Sequence, residues 1–176
     1  MTTRALFVAL LLIGLANSPL RAACPGGVSD SFTVSGEVRN RSVFDLNKLE
    51  QLFSPAQENI TYFAAGKVVS ESFTGVLLWD LLNNPEVGGI VTDPNVKNDI
   101  LHKVVIVTGT DCYQSAFGAG EIDPFFGGNQ IMIAYATGGQ SLGSNGFARI
   151  VVPGDKAGGR FVSNIAKIEV RDATTH

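Results

Sequence analysis

The chain has 176 residues, of which 45% are hydrophobic and 16% charged, so it can bury a core and is not an intrinsically disordered polymer. Twenty glycines and seven prolines indicate many turns between short elements, and two cysteines are too few for a small disulfide scaffold. The formal net charge of −3 gives no general attraction for polyanions, which argues against binding to nucleic acid or to anionic membranes.

Residues 1–23 have the pattern of a secretory signal. Arg4 supplies the positive charge, and the apolar run ALFVALLLIGLA that follows is shorter than the ~20 residues that a transmembrane helix needs. Cleavage is expected near Ala23, with Ala16 as the other option, which leaves a periplasmic or secreted domain. Lipid anchoring through Cys24 is the less favoured alternative, because a basic residue stands three positions before it.

The remaining chain is expected to form one domain at residues 32–172, because no repeat or long linker divides it. Residues 24–31 are interpreted as an N-terminal arm and residues 173–176 as a C-terminal tail. The polar, turn-rich segment at residues 85–99 is expected to be a loop.

Hydrophobic periodicity predicts a mixture of short strands and helices. A strand is expected at residues 32–38, where apolar and polar residues alternate, followed by a short helix capped by Asp45. Thr74 is expected to cap a second helix with the sequence GVLLWDLL. Runs of β-branched and aromatic residues predict further strands at residues 60–64, 103–107, 113–117, 130–136, 147–152 and 165–170. This irregular order predicts an α+β domain built on mixed or antiparallel sheets.

No catalytic constellation is evident from residue spacing alone. His102 stands at the start of a predicted strand and His176 at the C-terminus, and neither suggests a Ser-His-Asp triad. Cys24 and Cys112 are 88 positions apart with no neighbouring ligands, which argues against a structural zinc site. In an oxidising compartment they could form a disulfide, and the alternative is a free, buried Cys112. Tyr113 follows, so a thiol and a phenol stand together at a strand end, where functional groups often gather.

Five segments occur in a characteristic order: FTVSGEV, FTGVLLWDLL, VVIVTGTDCYQSAF, IMIAYATGGQSLGSNGFARIVVPG and GGRFVSNIAKIEVRD. This order resembles the molybdopterin-binding oxidoreductase domain of the sulfite oxidase family. The resemblance covers about residues 32–172 and implies a single, compact, mixed-sheet α+β fold of the sulfite-oxidase type.

The resemblance breaks at the metal ligand. Catalytic members of that family coordinate molybdenum through a cysteine thiolate that lies between the second strand and the Gly-Val-x-Leu helix. The corresponding interval here, residues 60–74, reads ITYFAAGKVVSESFT and contains no cysteine. Phe63, Ala64 or Ala65 occupies the expected place, and none of these side chains can donate to a metal. Cys112 is a remote candidate for a displaced ligand.

Other family positions are retained in part. By resemblance, Tyr113 corresponds to an active-site tyrosine, Asp111 to a pterin-contacting acid and Arg149 to an arginine at the phosphate-bearing end of the cofactor. Arg160 lies in the last basic loop, while Ser144, or Asn145 under a one-residue shift, stands where family members have a histidine. The two arginines would suit an anion, and structural ion pairs are the alternative role for both.

These observations lead to three functional hypotheses. The first is an exported, non-catalytic or accessory protein whose residual pocket binds a small anion or a pterin-like ligand. The alternative is an atypical molybdopterin-dependent oxidoreductase that acts on a small oxyanion such as sulfite. The third is a partner-binding subunit that uses the loop at residues 85–99.

Overall fold

The structure is a computed structural model that describes residues 24–174. The predicted signal at residues 1–23 and the terminal His176 lie outside the described residues. Within the described part of the chain, no helix is both long and apolar enough to cross a bilayer.

The described chain forms ten strands and three short α-helices. The strands are β1 (Phe32–Gly36), β2 (Ser42–Phe44), β3 (Ala56–Ala64), β4 (Lys67–Leu77), β5 (Lys103–Gly109), β6 (Gln114–Gly118), β7 (Met132–Thr137), β8 (Gln140–Ser141), β9 (Arg149–Val151) and β10 (Ile165–Asp172). The helices are α1 (Leu46–Leu52), α2 (Leu78–Asn83) and α3 (Ala119–Ile122). Short 3₁₀ turns are formed by Asp99–His102, Gly143–Asn145 and Gly158–Arg160.

The first sheet has the strand order β2-β1-β10-β5-β6. β1 and β10 pair in parallel, whereas all other neighbours in this sheet are antiparallel. The last strand of the domain therefore lies between the first strand and β5. β5 shows how the sequence specifies its place, because its buried and partly exposed residues alternate along its whole length.

The second sheet is antiparallel and has the order β3-β4-β7-β8, with β9 also pairing with β7. β3 and β4 form a long hairpin whose two-residue turn is Ala65-Gly66, with φ angles of 48° and 80°. Positive φ at both turn residues matches the twist of the flanking strands and sets the register of the hairpin.

The buried apolar residues form one continuous core. Both sheets contribute residues with no exposed surface to this core. They include Val107 of β5 and Ile168 of β10 from the first sheet, and Val76 of β4 and Ile133 of β7 from the second. One such core is what a single domain requires, and the mixture of sheets and helices confirms the predicted α+β class.

The structure corrects the predicted helix at residues 75–82. Gly75, Val76 and Leu77 belong to the end of β4, and α2 begins only at Leu78. Thr74 lies within the strand, so it does not cap the helix. In contrast, Asp45 caps α1 as predicted, since its carboxylate accepts a hydrogen bond of 2.8 Å from the backbone N–H of Lys48.

Candidate functional site

The tip of the β3–β4 hairpin forms one wall of a cavity of about 440 Å³. The opposite wall is the loop at residues 157–159, which contains two consecutive glycines. A hydrogen bond of 2.9 Å from the backbone N–H of Phe63 to the carbonyl of Lys156 joins the two walls. The residues that line the cavity are Tyr62, Phe63, Ala64, Ala65, Arg149, Ala157, Gly158 and Gly159.

Arg149, at the start of β9, supplies the positive charge of this cavity. Its guanidinium carbon lies 5.8 Å from the ring centre of Phe73 and 5.7 Å from that of Phe161, within the range of cation–π attraction. Its Nε is buried and has no hydrogen-bond partner. Among residues 24–174, no carboxylate forms an ion pair with it. A half-buried guanidinium of this kind is equipped to bind an anion.

Tyr62 lies beside Arg149 and packs its ring against Phe161, with 4.7 Å between the ring centres. Its hydroxyl donates a 2.8 Å hydrogen bond to Glu71. Burial is the main reason that the pKa of Tyr62 is raised, and the bond to Glu71 adds to this effect, while the charge of Arg149 opposes it. The Tyr62 hydroxyl is therefore protonated at neutral pH and directs its proton towards Glu71.

Arg160 follows the cavity loop but is engaged elsewhere. Its Nε and Nη2 donate to the two carboxylate oxygens of Asp155, at 2.9 and 2.7 Å, and its Nη1 donates to Glu121 at 3.0 Å. These two carboxylates hold the pKa of Arg160 above its usual value, with Asp155 contributing most. Arg160 thus has the ion-pair role that was the alternative to anion binding, and it is not among the cavity-lining residues.

Neither Asp111 nor Tyr113 is among the lining residues, and only Tyr113 contacts one of them. The backbone N–H of Tyr113 donates a 2.9 Å hydrogen bond to the Asp111 carboxylate, which stabilises the turn between β5 and β6. The half-exposed Tyr113 side chain extends to the cavity loop, where its hydroxyl donates to the carbonyl of Gly159. Tyr113 is therefore connected to the cavity wall, while Asp111 serves the turn.

Cys24 and Cys112 form a disulfide with a Cα–Cα distance of 5.5 Å. It attaches the N-terminal arm to the β5–β6 turn, where Thr110 also donates a hydrogen bond of 2.7 Å to the carbonyl of Gly27. Cys112 has a positive φ of 65°. Because its sulfur is bonded to that of Cys24, Cys112 presents no thiolate to a metal.

The donor set at the cavity does not fit a molybdenum centre of the sulfite-oxidase type. Phe63, Ala64 and Ala65, which the resemblance places where the thiolate is expected, do line the cavity, but none of their side chains can donate to a metal. Residues 24–174 also contain no group of three or more His, Cys, Asp or Glu side chains that could hold a metal. The retained feature is the guanidinium of Arg149, which pairs with no carboxylate among residues 24–174 and therefore suits an anionic group.

Sequence reasoning missed the aromatic side of this site. Tyr62, Phe73 and Phe161 all approach Arg149, but they come from β3, β4 and a loop far along the chain. No short motif links such positions. One trace of the site is visible in the sequence, namely the glycine at position 158. The structure gives its reason, because a Cβ at Gly158 would lie 3.1 Å from the ring of Tyr62.

A second depression, of about 400 Å³, lies near the end of α1 and beside α2. None of the candidate catalytic or cofactor-binding residues lines it, although Pro85 of the loop at residues 85–99 does, and its charged lining residue is Asp80. It therefore provides no cation for an anionic ligand.

No protein-family model matches the chain, and no curated protein is significantly similar to it in sequence. Among solved structures, the sulfane dehydrogenase SoxCD from Paracoccus pantotrophus is similar, with a TM-score of 0.62 and 21% sequence identity. The match covers 81% of this chain and 38% of that chain, so this domain spans less than half of the SoxCD chain. The similarity shows the fold, and it supports the predicted sulfite-oxidase-type architecture at the level of overall shape.

Proposed function

We propose that this protein is a ligand-binding module of the sulfite-oxidase fold type that holds an anion at Arg149 and does not act as a molybdenum oxidoreductase. The observation that carries the proposal is that Arg149 lines the cavity without a carboxylate partner among residues 24–174, beside Phe63, Ala64 and Ala65, whose side chains cannot donate to a metal. The charge of its guanidinium is therefore not neutralised by the described chain, and an anionic ligand in the cavity would neutralise it.

Two measurements test this function. Protein purified from a host that makes molybdopterin should contain far less than one molybdenum and one pterin per chain, and near-stoichiometric amounts of both would overturn the proposal. Titration calorimetry with inorganic phosphate should show binding that Arg149→Met weakens at least tenfold. Arg160→Met is the matched control and should bind phosphate like the wild type, because Arg160 is paired with Asp155 and Glu121.

The alternative function, an atypical molybdopterin-dependent oxidoreductase, rests on Tyr113, whose hydroxyl contacts the cavity loop at Gly159. If it were correct, the metal-loaded protein would oxidise sulfite, and Tyr113→Phe would impair turnover. The metal analysis separates the two functions before any kinetic measurement.

We also propose that the protein works in an oxidising, extracytoplasmic compartment. The disulfide between Cys24 and Cys112 supports this location, because such bonds form and persist outside the reducing cytosol. A sulfur in a disulfide cannot also carry the thioether-linked lipid of a lipoprotein. Mass spectrometry of protein from the native host should find an unlipidated chain that begins at or before Cys24 and has no free thiol. A lipid-modified Cys24 would contradict it.

A further inference from the structure

The cavity offers an apolar surface where the family resemblance places a metal ligand. Phe63 is 51% exposed and lines the cavity together with three residues that have only a methyl side chain, Ala64, Ala65 and Ala157. An exposed aromatic side chain in a concave site is a typical contact for the apolar part of a ligand. The surface therefore favours a ligand that has more than a charged group.

The size of the cavity supports the same conclusion. Its volume of about 440 Å³ lies within the range of roughly 300–1,000 Å³ that is typical of sites for small organic molecules. A water molecule occupies about 30 Å³, so an inorganic oxyanion of four or five heavy atoms would leave most of the cavity to solvent.

The charge of the lining limits the ligand to one anionic group. Arg149 is the only cationic side chain among the described residues that line the cavity. The neighbouring Tyr62 hydroxyl already donates its hydrogen bond to Glu71. The Glu71 carboxylate would repel a second negative charge on the ligand. One guanidinium therefore pairs with one carboxylate-type or phosphate-type group.

We infer that the ligand is an organic anion with a single acidic group bound by Arg149 and an apolar, ring-sized body against Phe63, Ala64 and Ala65. This inference rests on the proposed anion-binding function and narrows it to a class of ligand. Burial of about 60 Å² of apolar ligand surface is enough for a tenfold gain in affinity over the same acidic group alone.

The test compares acetate with 2-naphthoate, which carry the same carboxylate but differ in their apolar body. In calorimetric titrations of the full mature protein at neutral pH, 2-naphthoate should bind at least tenfold more tightly than acetate. Phe63→Ser should reduce the affinity for 2-naphthoate at least fivefold and leave the affinity for inorganic phosphate unchanged. Arg149→Met should weaken the binding of both carboxylates.

A matched control removes another exposed phenylalanine. Phe125 is 85% exposed and is not a lining residue, so Phe125→Ser should leave all affinities unchanged. Affinities for acetate and 2-naphthoate within twofold of each other would overturn the inference while the anion site itself stands. Binding of 2-naphthoate that survives in Arg149→Met would overturn it as well. If neither phosphate nor either carboxylate binds, the proposed function fails together with the inference.

Discussion

Two arginines that are only eleven positions apart in the sequence have different roles in the fold. Arg149 faces a cavity with an unpartnered Nε, whereas Arg160 forms a two-point ion pair with Asp155 and a further bond to Glu121. Both could be identified from the sequence as anion-binding candidates. The distinction could not, because no local motif marks the pairing of Arg160 with Asp155, and Glu121 lies 39 positions away along the chain.

This difference predicts that the two substitutions change the free energy of unfolding by different amounts. Arg160→Met should lower the free energy of unfolding by about 1–2 kcal/mol, because it leaves two carboxylates without their shared partner. Arg149→Met should change it by less than about 1 kcal/mol, since the substitution also removes a buried donor that has no partner. Urea unfolding of the ligand-free variants measures both values. A larger loss for Arg149→Met than for Arg160→Met would contradict the assignment of roles.

The predicted site was partly correct at the level of single residues. Arg149 and the three residues at the expected thiolate position do meet at one cavity, and Tyr113 contacts its wall. Asp111 instead serves a turn, as a satisfied aspartate often does. Local motifs could show which residue types were retained, but not which hydrogen bonds the surrounding chain would already provide.

At the scale of elements, Gly75 explains why a helix was predicted where a strand continues. An apolar run preceded by threonine is typical of a capped helix, but the backbone of β4 at Gly75 lies against β7 at a register shift. A Cβ at Gly75 would lie 2.2 Å from the carbonyl oxygen of Ile133. A close contact between β4 and β7 cannot be recognised from the amino-acid sequence of β4 alone.

Gly75→Ala should therefore be strongly destabilising. We expect the free energy of unfolding to fall by about 3 kcal/mol or more, because the methyl group meets backbone atoms that cannot move aside without breaking strand pairs. Gly159→Ala is the control, since a Cβ there has no atom within 4 Å. It should change stability by less than about 0.5 kcal/mol. Equal effects in thermal unfolding would show that the close approach at β4 is not a constraint.

Polar strands are the second reason that the predicted elements differ from the observed ones. β4 has exposed or partly exposed residues through most of its first half, so no hydrophobic alternation marked it. Its partner β3 extends four residues before the predicted start, because backbone pairing with β4 stabilises a strand that its side chains alone do not specify.

A cluster of charged side chains around the buried Lys103 links the start of β5 to the end of β10. Lys103 is 5% exposed, and its Nζ lies 2.7 Å from Asp172 and 3.2 Å from Asp99. The pKa of Asp172 is lowered chiefly by its bond to Lys103. That of Asp99 is lowered chiefly by a backbone hydrogen bond from Asp93, with Lys103 adding to the effect.

This cluster predicts a loss of stability in acid. The unfolded chain takes up protons on these aspartates near their ordinary pKa of about 4, whereas the folded chain does so only at lower pH. The free energy of unfolding should therefore be constant above about pH 5 and fall as the pH decreases below 4. In Lys103→Met, stability at pH 7 should be lower and its decrease in acid smaller, so that the difference between the two proteins narrows as the pH falls from 4 towards 2.

Urea midpoints between pH 2 and pH 8 measure this dependence. Lys97→Met, which removes an exposed lysine, is the control and should follow the wild-type curve. Parallel curves for the wild type and Lys103→Met would show that the cluster does not couple folding to protonation.

For the whole molecule, the order of segments was sufficient to indicate the fold class but not the sheet topology. The α+β class follows from irregularly ordered short elements, and the similarity to SoxCD supports the architecture. The parallel pairing of β1 with β10 joins residues more than 130 positions apart, such as Val34 and Ile168. No local pattern specifies a pairing of that range.

Removal of β10 should abolish folding of the whole domain. Without it, the first sheet is divided into the pair β2-β1 and the pair β5-β6, and a two-stranded unit is at best marginally stable alone. A chain that ends at residue 164 should show no cooperative unfolding transition and should be degraded rapidly by protease. A control that ends at residue 172 retains β10 and should unfold cooperatively. A folded shorter chain would contradict the central role of this strand.

The central position of β10 also sets the timing of folding during synthesis. The ribosome makes β1 first, but its parallel partner β10 follows more than 130 residues later, so the first sheet cannot be completed before β10 has been synthesised. The proposed extracytoplasmic location would require the chain to cross a membrane, and a strand order that delays folding would favour transport in an unfolded state.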